Sequence, residues 1–143
     1  MSCENVSELL NRVWSQLGRG VADRRHPARH PTLATCGPEG PQARTLVLRG
    51  VERSTARLTF HTDMASPKVA EIAADPRVAL HVWIPKDRLQ IRIAAHASVS
   101  RGDPELFASL PPDARRNYSG AVPGGEADGA ADDGDPARFG CIT

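Results

Sequence analysis

Two short stretches of this 143-residue chain carry residues suited to gripping an anion. The first is Phe60-His61-Thr62-Asp63-Met64-Ala65-Ser66-Pro67-Lys68-Val69. Ser66 is a good helix N-cap, and Pro67 belongs at the first helical position. Lys68 then falls in the first turn, where the helix dipole disfavours a cation. It is better placed if an anion lies at the helix N-terminus, shared between free backbone N–H groups and the ammonium. A solvated surface lysine is the competing reading. The second stretch is Arg44-Thr45-Leu46-Val47-Leu48-Arg49. Its arginines bracket an apolar strand and, an odd number of positions apart, point to opposite faces. Each needs water, a carboxylate or a phosphate. Taken together, Arg44, Arg49 and Lys68, with the hydroxyls of Thr45, Thr62 and Ser66, suit a phosphate monoester. Gln90 offers an amide to the edge of a heteroaromatic ring, against the default of a surface glutamine.

Other chemistries find less support. Cys3, Cys36 and Cys141 are odd in number and far apart, showing neither a disulfide framework nor metal-ligand spacing. They read as free thiols of a reducing compartment, so a cytoplasmic protein is expected. His26 and His30 stand at helical i,i+4 spacing, but Pro27 and Pro31 oppose a helix there, and no metal site is expected. A net charge of +1 gives no reason to expect nucleic acid or an acidic membrane surface. No apolar stretch approaches the ~18 residues that span a bilayer, and the N-terminus does not read as a signal peptide. Asp63 is expected to orient its own loop by an Asx-type bond. His81 and Trp83 share a strand face and read as packing or interface residues; His96 reads as solvent-facing or interfacial.

The elements that must hold these residues are mostly short strands. Residues 5–18 form an amphipathic helix, with Val6, Leu9, Leu10, Val13 and Leu17 at helical spacing. Asn5 or Ser7 is its cap, and Glu8 suits a capping box with Asn5. The one-sided stripe fits a helix lying on a sheet. An irregular linker follows over 24–31. Strands are expected over 32–36, 43–51, 57–62, 77–83 and 89–99, with a helix over 67–74. In the last strand Leu89, Ile91, Ile93, Ala95, Ala97 and Val99 alternate with Gln90, Arg92, Ala94, His96 and Ser98, giving one buried face. Five short strands joined mainly by turns predict a mainly β, antiparallel barrel with peripheral helices rather than a Rossmann-type fold. Two further short helices are expected over 104–110 and 112–118. Residues 119–136 are rich in Gly, Ala and Asp and read as a mobile loop. Residues 137–143 look like the start of another strand, so the expectation is a single domain over 1–143 with a truncated C-terminal strand.

The blocks R-T-L-V-L-R, L-T-F-H-T-D-x-x-S-P-K, D-P-R-V-A-L and R-L-Q-I-R, in that order, resemble the flavin-binding core of the pyridoxamine 5′-phosphate oxidase family. The likeness covers about Thr32 to Val99. It implies an FMN-binding split barrel that works as a homodimer, with the flavin in a groove between subunits. By this resemblance Arg44, Thr45, Leu46, Val47, Leu48 and Arg49 run along the flavin, and His61 and Thr62 stand at the family's Tyr-Thr step. Ser66 and Lys68 hold the phosphate, and Gln90 contacts the ring or ribityl chain. The chain departs from the family at Pro67, where an arginine is common, and at His61. It also lacks the Trp- and Arg-bearing C-terminal segment that builds the vitamin B6 site. The expected function is an FMN-dependent oxidoreductase acting on an unidentified small molecule. A non-catalytic flavin-binding module and a deazaflavin-dependent reductase on the same fold are the alternatives.

Overall fold

The computed structural model describes residues 5–118 and 138–143, so the loop expected over 119–136 lies outside the described residues. Helix α1 spans Val6–Ala22. Asn5 Oδ1 accepts from Glu8 N at 2.8 Å and Glu8 Oε2 accepts from Asn5 N at 3.4 Å, the expected capping box. The helix outruns residue 18 through Gly18 and Gly20. A Cβ at Gly20 would stand 2.5 Å from the carbonyl carbon of Ala28, so glycine is what lets the next segment cross the helix there. That segment is a 3-10 turn, Pro27–Arg29. His26 caps it, Nδ1 accepting from Ala28 N at 3.1 Å while Nε2 pairs with Gln16 Oε1 at 2.8 Å. Both ring nitrogens therefore have structural partners.

The chain then forms β1 Thr32–Gly37, β2 Gly40–Thr45, β3 Leu48–Glu52 and β4 Arg57–Asp63, followed by α2 Pro67–Ala74. β5 Arg77–Ile84, β6 Leu89–His96 and β7 Val99–Arg101 come next. Two short helices, α3 Pro104–Ser109 and α4 Pro112–Arg115, lead into a 3-10 turn ending at Tyr118, and β8 spans Phe139–Ile142. The strands make two four-stranded sheets, ordered β2-β1-β5-β6 and β3-β4-β8-β7, with every pairing antiparallel. This is the expected split barrel. Among the described residues no helix is long and apolar enough to cross a membrane.

Three expectations need correction. The single strand over 43–51 is two, β2 in one sheet and β3 in the other, with Leu46 N donating to Pro31 O at the crossing. An apolar run fits a strand that changes sheets as well as one that continues, so pattern alone does not mark the break. The strand over 89–99 likewise ends at His96. Ala97 N bonds to Pro76 O, and β7 starts in the second sheet. Lastly, the stripe of α1 does not lie wholly on a sheet. Val13 and Leu17 pack against the core, but Val6, Leu9 and Leu10 remain exposed.

The main core gathers Leu17, Leu33, Leu48, Phe60, Ile72 and Ile91 between the sheets. A second cluster sets Phe107, Tyr118 and Phe139 against one another, with ring centroids 5.1–6.0 Å apart.

Candidate functional site

β4 delivers its last residues to the head of α2. Ser66 occupies the N-cap position and Pro67 the first helical one, as expected, but the serine hydroxyl does not cap the backbone. It accepts instead from Lys68 Nζ at 3.0 Å. Lys68 is buried, 9% exposed, which rules out the solvated-lysine reading. Among the described residues its ammonium has that hydroxyl as its hydrogen-bond partner and forms no ion pair. Burial and the facing guanidinium of Arg44 push its pKa down, while Asp63 pulls the other way. A buried cation beside a second cation and a neutral hydroxyl is the arrangement an anion completes.

Arg44 extends from β2 toward β1 and α2. Its Nη1 donates to Leu33 O at 3.2 Å and to Thr35 Oγ1 at 2.8 Å, and its Nη2 to Glu71 Oε1 at 3.0 Å. Asp63 makes the expected Asx-type turn, accepting from Ala65 N at 2.9 Å. It also binds Arg138 in a two-pronged ion pair, Nε–Oδ1 at 3.1 Å and Nη2–Oδ2 at 2.5 Å. Both acids beside Lys68 are thus bonded to arginines.

Arg49 is not part of this group. It sits at a β-bulge, where β3 advances from Leu48 to Gly50 while β4 moves from Phe60 to Thr59, and its side chain is exposed. Partial desolvation of its guanidinium, with Arg29 and Arg24 nearby, lowers its pKa, and Tyr118 opposes this. His61 lies on the same side, its ring edge-on to Phe139 at 5.0 Å, with a buried Nδ1 that lacks a hydrogen-bond partner. Burial and then Arg49 lower its pKa, so the imidazole stays neutral near pH 7.

The other candidates divide between the two sheets. Thr62 is buried, with Oγ1 3.4 Å from Asp63 O. Thr45 ends β2 exposed, Leu46 and Val47 form the half-buried crossing, and Leu48 is wholly inside the core. Gln90 lies apart, on the exposed face of β6, bonded to His81 Nε2 at 2.9 Å. The structure therefore groups Arg44, Ser66 and Lys68, sets Arg49 with His61, and leaves Gln90 outside both. Sequence reasoning missed Thr35, Glu71, Arg138 and Tyr118. Glu71 stands three residues after Lys68, one helical turn on, and that spacing was the one available signal.

Fold and site together define a split-barrel protein with a subsite suited to one anionic group. The family model for the pyridoxamine 5′-phosphate oxidase FMN-binding domain matches residues 11–101, a span holding every candidate from Arg44 to Gln90, and the chain belongs to this family. A pyridoxine/pyridoxamine 5′-phosphate oxidase from a Nocardioides species is 41% identical over 91 residues, covering 61% of this chain and 41% of that protein. The chain spans about two fifths of the length of the curated relatives it matches. Among solved structures, a pyridoxamine 5′-phosphate oxidase-related, FMN-binding protein from Nostoc punctiforme superposes with a TM-score of 0.75 at 25% identity, covering 99% of this chain and 81% of that one. An F420 reductase shares the fold at a TM-score of 0.52 and 21% identity, covering 79% and 82% of the two chains.

Proposed function

We propose that the chain binds FMN and acts as an FMN-dependent oxidoreductase on a small molecule, as a homodimer with flavin at the subunit interface. The observation that carries this reading is Lys68, a buried lysine at the head of α2 with no carboxylate of its own among the described residues. The donor set fits a phosphate monoester. Lys68 supplies charge, Ser66 Oγ orients the lysine, and Arg44 keeps Nε–H and one Nη2–H unused among the described residues. Bound FMN would supply hydride or electron transfer at its ring, with the protein providing position and electrostatics. Neutral His61 holds a buried Nδ1 without a hydrogen-bond partner among the described residues, and Arg49 brings positive charge to the same flank.

The exposed face of the first sheet supports the dimer. Ala43, Ala34, Ala79 and Ala94 stand in register across its four strands, a flat floor of small side chains. Trp83, 48% exposed, stands on the same face of β5 as Ala79. Gln90, exposed and bonded to His81 on the same face, would lie within an interface built on this floor.

The test is the visible absorption spectrum of the purified protein, alone and with added FMN. Flavin bands that are retained through gel filtration, and lost in Lys68→Ala and Arg44→Ala, support the site. They would also justify a substrate screen by flavin bleaching. A protein that takes up no FMN at high micromolar concentration overturns the reading.

A further inference from the structure

Behind Arg44 stands a carboxylate that simple anion binding would not call for. The Glu71 side chain is 10% exposed, and its Oε1 takes two donors, Arg44 Nη2 at 3.0 Å and Thr35 Oγ1 at 2.9 Å. Thr35 closes the ring by accepting from Arg44 Nη1 at 2.8 Å. The other oxygen, Oε2, is wedged against Gly37, where an added Cβ would stand 2.9 Å from it. Three elements meet in this triad: β1 through Thr35, β2 through Arg44 and α2 through Glu71.

An acid this close to a phosphate subsite repels the ligand, so its presence needs a compensating effect. The bond pattern supplies one. Thr35 and Leu33 occupy Nη1, and Glu71 occupies half of Nη2, which leaves a fixed remainder of the guanidinium fork unbonded among the described residues. We propose that Glu71 is a positioning residue: through Thr35 it locks Arg44 with Nε–H and one Nη2–H directed to the cofactor phosphate. This rests on the reading that a flavin phosphate lies at Lys68. Because its charge is balanced by Glu71, Arg44 contributes direction, and Lys68 supplies the uncompensated charge.

The experiment measures dissociation constants for FMN and for riboflavin by flavin-fluorescence quenching. The proteins compared are the full chain, Glu71→Ala, Glu71→Gln and Thr35→Val. Riboflavin lacks the phosphate, so the ratio of the two affinities isolates phosphate recognition from general damage to the barrel. If the unmutated chain binds FMN no more tightly than riboflavin, the phosphate subsite itself fails, whatever Glu71 does. If it prefers FMN, Glu71→Ala is expected to lower that preference about tenfold or more, the weight of one charge-assisted contact. Glu71→Gln keeps an oxygen able to accept from Arg44 and Thr35, and is expected to restore the preference to the original level or above it. Thr35→Val, nearly isosteric, tests the same lock should Glu71→Ala not fold, and is expected to lower the preference by a smaller factor. An unchanged preference in Glu71→Ala, or in Thr35→Val where it alone folds, overturns the proposal. So does a Glu71→Gln loss as large as that of alanine.

Discussion

Replacing Lys68 by methionine should make the empty protein more stable and the flavin-loaded protein weaker. Lys68 is 9% exposed, and among the described residues its ammonium is bonded to one neutral hydroxyl and faced by Arg44. Methionine keeps most of the stem's packing and removes the charge. Relief of a poorly solvated, unpaired charge is worth roughly 1–2 kcal/mol, or about 3–8 °C in Tm for a domain of this size. The same change removes a charge-assisted contact to phosphate, an expected loss of about 10- to 150-fold in FMN affinity. Differential scanning fluorimetry with and without FMN reads both effects in one plate. The sign of the pH dependence follows from the depressed pKa of Lys68. Below its folded-state value the penalty is full. Between that value and the ordinary 10.5, the unfolded chain holds a proton that the folded one lacks, so stability rises with pH and the gap to the methionine variant closes. A variant with a clearly lower apo Tm would refute the reasoning, since Lys68 would then be a satisfied structural residue. Unchanged FMN affinity would refute it from the other side.

Four further outcomes are expected. Asp63→Asn keeps the turn to Ala65 but removes the negative charge that faces Arg138, and should cost roughly 1–2 kcal/mol in urea unfolding; a loss under 0.5 kcal/mol would mean the pair behaves as a surface bridge. Gly20→Ala places a Cβ against Ala28 and should cost at least about 2 kcal/mol or prevent folding, whereas an unchanged Tm would show that α1 shifts freely. His61 has a folded pKa below 6.5, so stability should fall as pH drops through that region; His61→Phe should flatten this acid limb, leaving the part due to His26. Ala79→Glu, at an exposed position in the row of alanines, should convert the proposed dimer to monomer by light scattering without lowering monomer helicity; a persistent dimer would place the interface elsewhere.

Much of the fold was legible because its devices are local. The Asn5–Glu8 box, Pro67 at the start of α2, and the alternation of β5 and β6 each depend on neighbours within a few residues. The sheet changes at Leu46–Val47 and at Ala97 were not legible. A strand that leaves one core face for another keeps its apolar pattern, and only the partner strands reveal the switch. The site divides in the same way. Ser66 and Lys68 are adjacent in sequence, and Lys68 advertised itself by standing on the wrong end of a helix dipole. Thr35 and Arg138 reach the same neighbourhood from distant parts of the chain, and Glu71 from one turn further along α2. Sequence alone carries no sign that Arg44 has a buried acid as its partner rather than water.

The place of β8 bears on how the molecule comes to be folded. Phe139–Ile142 inserts between β4 and β7, pairing Asp63 with Phe139 across more than seventy intervening residues. Until that insertion occurs, β4 and β7 each present an unpaired ladder, the kind of edge that invites association between nascent chains. Closing so long a loop is entropically slow, though the added cost grows only with the logarithm of its length. The Asp63–Arg138 pair adjoins the first rung of this ladder and is well placed to act as a latch once the strand arrives. The barrel's last seam should therefore set its refolding rate, and weakening a latch that closes after the strand arrives should mainly speed the seam's reopening.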